Sequence, residues 1–236
     1  AEPGTVLHGV LEVLDFQADR ATRLATVTDV LAATGGPTPW AERLTDGLDQ
    51  AARVPFGPGE PSLRDLGPGD RLDELGFLVP ARGASPTELA GVFDRHGVSS
   101  IARSYGLRVA TMGFPPLNGL LKGYVDLVYR HEGRYGIVDY KSNHLGERAS
   151  DYSVAAIESQ MLHHDYVLQY HLYILALHRF LRARLPDYDY DRHVIGARYL
   201  FLRGMVPEAG PGAGVFADRP PRALVHGMDA LFGGAP

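Results

Sequence analysis

The stretch that most constrains this chain runs from Lys122 to Asn143. Two runs rich in aromatic and β-branched residues, Gly123-Tyr-Val-Asp-Leu-Val-Tyr129 and Arg134-Tyr-Gly-Ile-Val-Asp-Tyr-Lys141, stand either side of Glu132-Gly133. A glycine-containing dipeptide between two such runs is a hairpin signal. A two-residue turn makes His131 face Arg134, and the same register sets Asp126 directly across from Asp139. Opposed side chains share a face, with Cβ atoms ~4.5–5.5 Å apart, and Lys141, two residues beyond Asp139, returns to that face. Val125, Leu127 and Tyr129 are expected together on the other. Two carboxylates and one ammonium therefore converge.

Two acids this close repel, and one pKa rises, unless a cation lies between them. All-oxygen ligation selects a hard divalent ion, Mg²⁺ or Mn²⁺, with Ca²⁺ a further possible occupant. The competing reading is a surface Asp–Lys pair on an edge strand. Ile137, Val138 and Tyr140 argue instead for a central strand, where unpaired charge is costly.

With those residues in place, the string Gly123-Tyr-Val-Asp126 … Val138-Asp139-Tyr-Lys141-Ser-Asn143-x-Leu145-Gly146 resembles the PD-(D/E)xK nuclease superfamily, in the form of RecB-type C-terminal nuclease domains. The likeness extends to Leu168-Gln-Tyr-x-Leu-Tyr-x-Leu-Ala-Leu-His178, Tyr199-Leu-Phe-Leu-Arg-Gly204 and Gly4-Thr-x-Leu-His8, and is faint between about Arg20 and Pro116. It implies an α/β, restriction-endonuclease-like core, a mixed sheet with a central hairpin flanked by helices, plus a helical insertion. It also implies a metal-dependent deoxyribonuclease in which Asp126, Asp139 and Lys141 are catalytic. His8, Asp126, Asp139 and the Tyr140 carbonyl would hold the metal; Tyr166, Gln169 and Tyr173 would contact DNA, with Lys122 a weaker phosphate contact. Implied partners are DNA, a RecB helicase region, RecC, RecD and the recombinase RecA, the last through an exposed patch such as the helix Tyr166–Leu185. Double-strand break repair in the cytoplasm is the implied setting.

Organisation follows from periodicity. Thr5–Asp15, Ala21–Gly35, Trp40–Arg53 and Pro86–His96 read as helices, Leu72–Pro80 as a strand, and Val98–Met112 is ambiguous. Residues 55–70, rich in Pro and Gly, read as a surface connection. After the hairpin come helices Ser153–Leu162 and Tyr166–Leu185, broken near His163-His164-Asp165, then a strand His193–Leu202, a loop Gly204–Gly214 and a closing helix Pro220–Phe232. Val167, Tyr170, Ile174, Leu177 and Leu181 should face the sheet. Glu74 is either an acid beside the active site or a solvent-facing one. Adjacent His163 and His164 point ~100° apart on a helix and cannot share an ion; His164 reads as a groove residue. We expect a single domain over 1–236, with 16–116 as the insertion and helix 1–15 packed on a 117–236 core.

The formal charge of −5 is low for a nucleic-acid binder, though it says little about one groove. The chain has no cysteine, hence no disulfide or thiolate metal site, and no apolar run of membrane-spanning length. It opens without methionine or signal pattern and lacks a phosphate-binding P-loop, so it reads as a fragment whose ATP-driven motor lies elsewhere. Two rivals stay open: a stand-alone or AddA-type nuclease, the latter disfavoured by the missing iron–sulfur cysteines, and a silent binding module of the same fold.

Overall fold

The computed structural model describes residues 3–234; the first two and last two residues of the expected 1–236 span lie outside it. Five strands form one sheet in the order β1 (Arg71–Ala84), β2 (Leu117–His131), β3 (Arg134–Lys141), β4 (Val194–Phe201) and β5 (Val215–Asp218). All neighbours are antiparallel except β3 and β4. A parallel pair needs a crossover, and helices α6 (Val154–His163), α7 (Tyr166–Arg182) and α8 (Tyr190–His193) provide it. The mixed sheet with a central hairpin is the α/β core that the resemblance implies.

Helices cover both faces. On one side α1 (Pro3–Val13), α2 (Arg20–Thr34) and α3 (Ala41–Ala51) pack Val10, Leu11, Val27 and Leu48 on Leu127, Tyr129, Val138 and Tyr140. On the other, α4 (Pro86–His96), α5 (Ser100–Ala110), α6, α7 and α9 (Arg222–Leu231) enclose Val125, Val128, Ile137 and Tyr199. The five α7 residues expected to face the sheet are all buried. Ser85 and Ser99 accept hydrogen bonds from Glu88 and Ala102 N–H groups, and these caps define the starts of α4 and α5. That decides the ambiguous 98–112 segment as helix.

Two expectations need correction, and one strand was not foreseen. Residues 55–70 are not a loose surface connection: Phe56, Leu63 and Leu66 are buried, and Glu60 makes a bidentate pair with buried Arg198 on β4 (2.7 and 2.5 Å). The stretch after Gly214 adds the strand β5. Val125 and Leu127 lie in opposite layers rather than on one face. On β1 Leu75 packs with Val125, whereas Arg71 reaches the Leu14 carbonyl on the α1 side, so both strands change sides between these positions. The residues between are Glu74, in the left-handed region at φ 51°, and Asp126.

Burial also sets a pH response. His171 on α7 is fully buried against Phe93 and Tyr170; its Nδ1 donates to the Val167 carbonyl at 2.7 Å and its Nε2 has no partner. Burial pushes its pKa down to about 4. The folded form thus takes a proton less readily than the unfolded chain, whose value is 6.5. Stability is then complete above pH 6.5 and is lost as pH falls toward 4, by about 3 kcal/mol for this group. Urea midpoints measured from pH 8 to 4.5 should fall through this window, and His171→Phe should flatten the slope. An unchanged slope in the variant rules out His171 as its origin.

Candidate active site

The hairpin turn is the two-residue one the sequence predicts, with Glu132 and Gly133 at φ 50° and 74°. The ladder runs from His131–Arg134 to Leu127–Val138, so Asp126 and Asp139 are the next positions in register. There the strands part: Asp126 Oδ2 accepts the Tyr140 N–H at 2.8 Å, a side chain standing in for the next ladder bond. The other edge behaves alike. Asp73 pairs with Leu127 and Leu75 with Val125, leaving Glu74 opposite Asp126 in left-handed backbone and outside the ladder. Strained backbone of this kind is held in place by its surroundings and gathers at functional sites. The Glu74 side chain itself is exposed.

Asp139 is 2% exposed and Lys141 8%. The Lys141 ammonium lies 2.7 Å from Asp139 Oδ2, yet off the axis a hydrogen bond requires, and that oxygen has no hydrogen-bond partner. Burial pushes the Asp139 pKa up to about 7; the Lys141 ammonium opposes the shift and the Asp126 carboxylate adds to it. Lys141 is caged. It donates to Gln169 Oε1 at 3.2 Å and sits 3.7 Å from the Tyr166 ring centre and 4.9 Å from that of Tyr199. Tyr199 Oη donates to the same Gln169 oxygen at 3.0 Å, and Gln169 Nε2 donates to Tyr173 Oη at 2.8 Å, so both ends of the amide are fixed. Sequence reading passed over Tyr199. It lies level with Asp139 across the parallel β3–β4 pair, a pairing no local pattern announces. Asn143 and Gln160 were missed too; they join the rim through Tyr166 Oη (3.4 Å) and His164 Nε2 (3.1 Å), with His164 stacked on Tyr166.

His8 on α1 arrives from the opposite helical layer and places Nδ1 3.3 Å from Asp126 Oδ1. The Asp126 carboxylate at that distance holds the imidazole above its ordinary 6.5, burial pulling the other way. The Tyr140 ring turns away into the α1 layer, edge-on to His8. Its main chain faces Asp126, and in a strand the carbonyl of a residue leaves on the same edge as its N–H. Lys122 is not brought to the carboxylates: it is exposed, with its ammonium 5.2 Å from the Tyr124 ring. Of the stretch Tyr166–Leu185 expected to offer a recombinase patch, Tyr166–Leu181 shows no exposed residue and the exposure lies at Arg182–Arg184.

Among the described residues no three His, Cys, Asp or Glu side chains stand close enough to form a metal cage. The donors come as two pairs, His8–Asp126 and Asp139–Lys141. An open set suits a hard, well-hydrated ion, which takes one or two carboxylates and keeps water and substrate oxygens in its other positions. Buried Asp139, raised in pKa despite its pairing with Lys141, is the carboxylate a divalent cation would stabilise in its charged form.

A profile of the PD-(D/E)XK nuclease superfamily matches residues 1–226. The chain is 39% identical over 239 residues to the RecBCD enzyme subunit RecB of Escherichia coli K12, covering 99% of this chain and 19% of that protein. Identity to the RecB subunit of Mycobacterium tuberculosis is 39% over 262 residues, 97% of this chain and 23% of that protein. For the Haemophilus influenzae RecB subunit it is 38% over 194 residues, 82% of this chain and 15% of that protein. The chain therefore spans about a fifth of the length of the curated relatives it matches, and it corresponds to their C-terminal region. By the profile match over residues 1–226 and the identity to these relatives, this chain belongs to the PD-(D/E)XK nuclease superfamily.

Proposed function

We propose that this chain is the Mg²⁺-dependent nuclease module of a RecBCD-type helicase–nuclease, hydrolysing phosphodiester bonds of mainly single-stranded DNA during double-strand break repair and recombination. The observation that carries the reading is the buried Asp139 carboxylate, with an unbonded oxygen, next to Asp126 in register and Lys141 in its cage. A buried carboxylate that faces a second carboxylate and is offset by a single ammonium is suited to hold a divalent ion.

In this reading Asp126, Asp139, the Tyr140 carbonyl and His8 hold the ion, Mn²⁺ or Ca²⁺ being able to replace Mg²⁺. Once bound, the ion supplies Lewis-acid polarisation of a non-bridging phosphate oxygen and a water acidic enough to attack in line. Lys141, held by Gln169, Tyr166 and Tyr199, aims its ammonium at charge growing on the phosphate or orients the attacking water. Gln169, Tyr166 and Tyr173 line the approach, offering amide and hydroxyl donors and a stacking ring, and Lys122 offers a phosphate contact further along. The implied assembly is the RecB helicase region with RecC and RecD, in the cytoplasm, handing product to RecA; no helix of the described residues is long and apolar enough to cross a membrane.

End-labelled single-stranded DNA should be degraded by the purified chain in Mg²⁺ and left intact in EDTA. Degradation unaffected by EDTA would sink the metal assignment. No cleavage together with no Mg²⁺ or Mn²⁺ binding heat would favour the silent binding module instead.

A further inference from the structure

α6 and α7 do not run on as one helix. α6 ends at His163, and Asp165 takes left-handed backbone (φ 56°, ψ 23°) before α7 begins at Tyr166. That conformation is uncommon for residues other than glycine and is held by its surroundings. The Asp165 side chain makes no capping bond to α7; Arg108 of α5 holds it instead, at 2.9 and 3.4 Å. The break has one geometric result. Side chains two residues apart on an unbroken helix point ~200° from each other. His164 and Tyr166 instead stack, with 22° between their planes and 5.2 Å between ring centres.

The stacked pair links the surface to a buried charge. His164 is exposed and Lys141 is buried, yet both touch one ring, the Lys141 ammonium lying 3.7 Å from the Tyr166 centre. What fixes that ring comes from α6. Gln160 Oε1 is 3.1 Å from His164 Nε2, so that nitrogen carries the proton and donates it. The same oxygen accepts from Asn143 Nδ2 at 3.5 Å, and Asn143 Oδ1 accepts from the Tyr166 hydroxyl at 3.4 Å, closing a circuit through Gln160. These two bonds are long and weak, so the stacked imidazole and its glutamine do most of the holding. An ammonium over an aromatic face is attracted to it. The direction in which Lys141 points therefore depends on where the Tyr166 ring stands.

We propose that the break between α6 and α7 sets the aim of Lys141, with His164 and Gln160 as positioning residues that hold the Tyr166 ring against its ammonium. Both act through that ring and not on the reacting atoms. The inference rests on the nuclease reading above and deepens it, since the chemistry served is that of Lys141.

The chain has only two lysines, Lys122 and Lys141, so NMR of the whole chain carrying isotope-labelled lysine, in EDTA, reads Lys141 directly once Lys122→Arg assigns the two signals. The Tyr166 ring should shift the Lys141 ε-methylene protons upfield. His164→Ala and Gln160→Leu should move that signal back toward the position of free lysine, whereas His164→Phe, which keeps a ring in the stack, should leave it shifted. In Mg²⁺ the first two variants should lower kcat on single-stranded oligonucleotides by about 2- to 30-fold, the rate equivalent of one cation–π contact, with KM nearly unchanged. On a Tyr166→Ala background His164→Ala should add nothing, because the ring it acts through is gone. A Lys141 signal that stays in place in both variants overturns the proposal. So does a rise in KM with kcat intact, which makes His164 a DNA contact. A signal that moves in a chain that cuts no DNA upholds the holding of Lys141 and removes the nuclease reading beneath it.

Discussion

Asp139→Ala is expected to lower metal-dependent DNA cleavage by about 10³-fold or more while leaving a folded and somewhat more stable protein. The loss follows from the arrangement: the carboxylate is buried, its Oδ2 lacks a hydrogen bond, and its neighbours in space are Lys141 and the Asp126 that shares its register. Removing one of two carboxylates from an open donor set costs several kcal/mol of metal-centred stabilisation, and each ~1.4 kcal/mol is tenfold in rate. The stability effect has the opposite sign. Burial of the Asp139 carboxylate beside Asp126 is only partly offset by the Lys141 ammonium and costs free energy in the absence of a metal ion. In EDTA, Asp139→Asn should therefore raise the melting temperature by about 2–4 °C for each ~1 kcal/mol recovered in a chain of this size. Added Mg²⁺ should stabilise wild type and not the variant. If the variants cleave DNA like wild type, or if Asp139→Asn melts lower in EDTA, the carboxylate is a structural group and the assignment fails.

The hairpin was legible because every determinant is local: β-branched and aromatic runs, Glu132-Gly133 for the turn, and a strand period of two. The α7 face was legible for the same reason, through Val167, Tyr170, Ile174, Leu177 and Leu181. What failed depended on contacts distant in sequence. The side switch between Val125 and Leu127 arises where β1 and β2 leave regular pairing at Glu74 and Asp126, which a period-two rule applied to one strand cannot foresee. β5 is four residues in a Gly- and Pro-rich stretch and exists because β4 offers it an edge. Residues 55–70 carry turn formers, but Phe56, Leu63 and Leu66 have a hydrophobic layer to fill.

The site divides along the same line. Asp126, Asp139 and Lys141 were placed by strand geometry. His8 reaches Asp126 from the far end of the sequence, so resemblance, not spacing, pointed to it. Tyr199 contributes through a parallel strand pair whose register is set by the α6–α8 crossover. No sequence pattern near Lys141 shows the aromatic cage that residue needs.

That cage makes the second large prediction specific. Lys141→Met should cut turnover by about 10²–10³-fold, the usual cost of losing one preorganised charge at a transition state. Its effect on DNA affinity should stay within a few-fold, because Lys141 is buried, ion-paired with Asp139 and bonded to Gln169 rather than offered to a distant phosphate. Lys141→Arg should not rescue. The planar guanidinium cannot fit a pocket 3.7 Å from the Tyr166 ring while also serving Gln169. Tyr199→Phe keeps the ring under Lys141 but releases Gln169 Oε1 from one of its two donors, so it should lower kcat by a smaller factor, about tenfold, with KM nearly unchanged. A lysine acting only as a DNA anchor would reverse the pattern, raising KM in Lys141→Met and leaving kcat intact. Steady-state kinetics on single-stranded oligonucleotides, with circular dichroism to verify folding, separates the two roles. A KM-only effect would remove Lys141 from the chemistry and leave the two carboxylates to carry it.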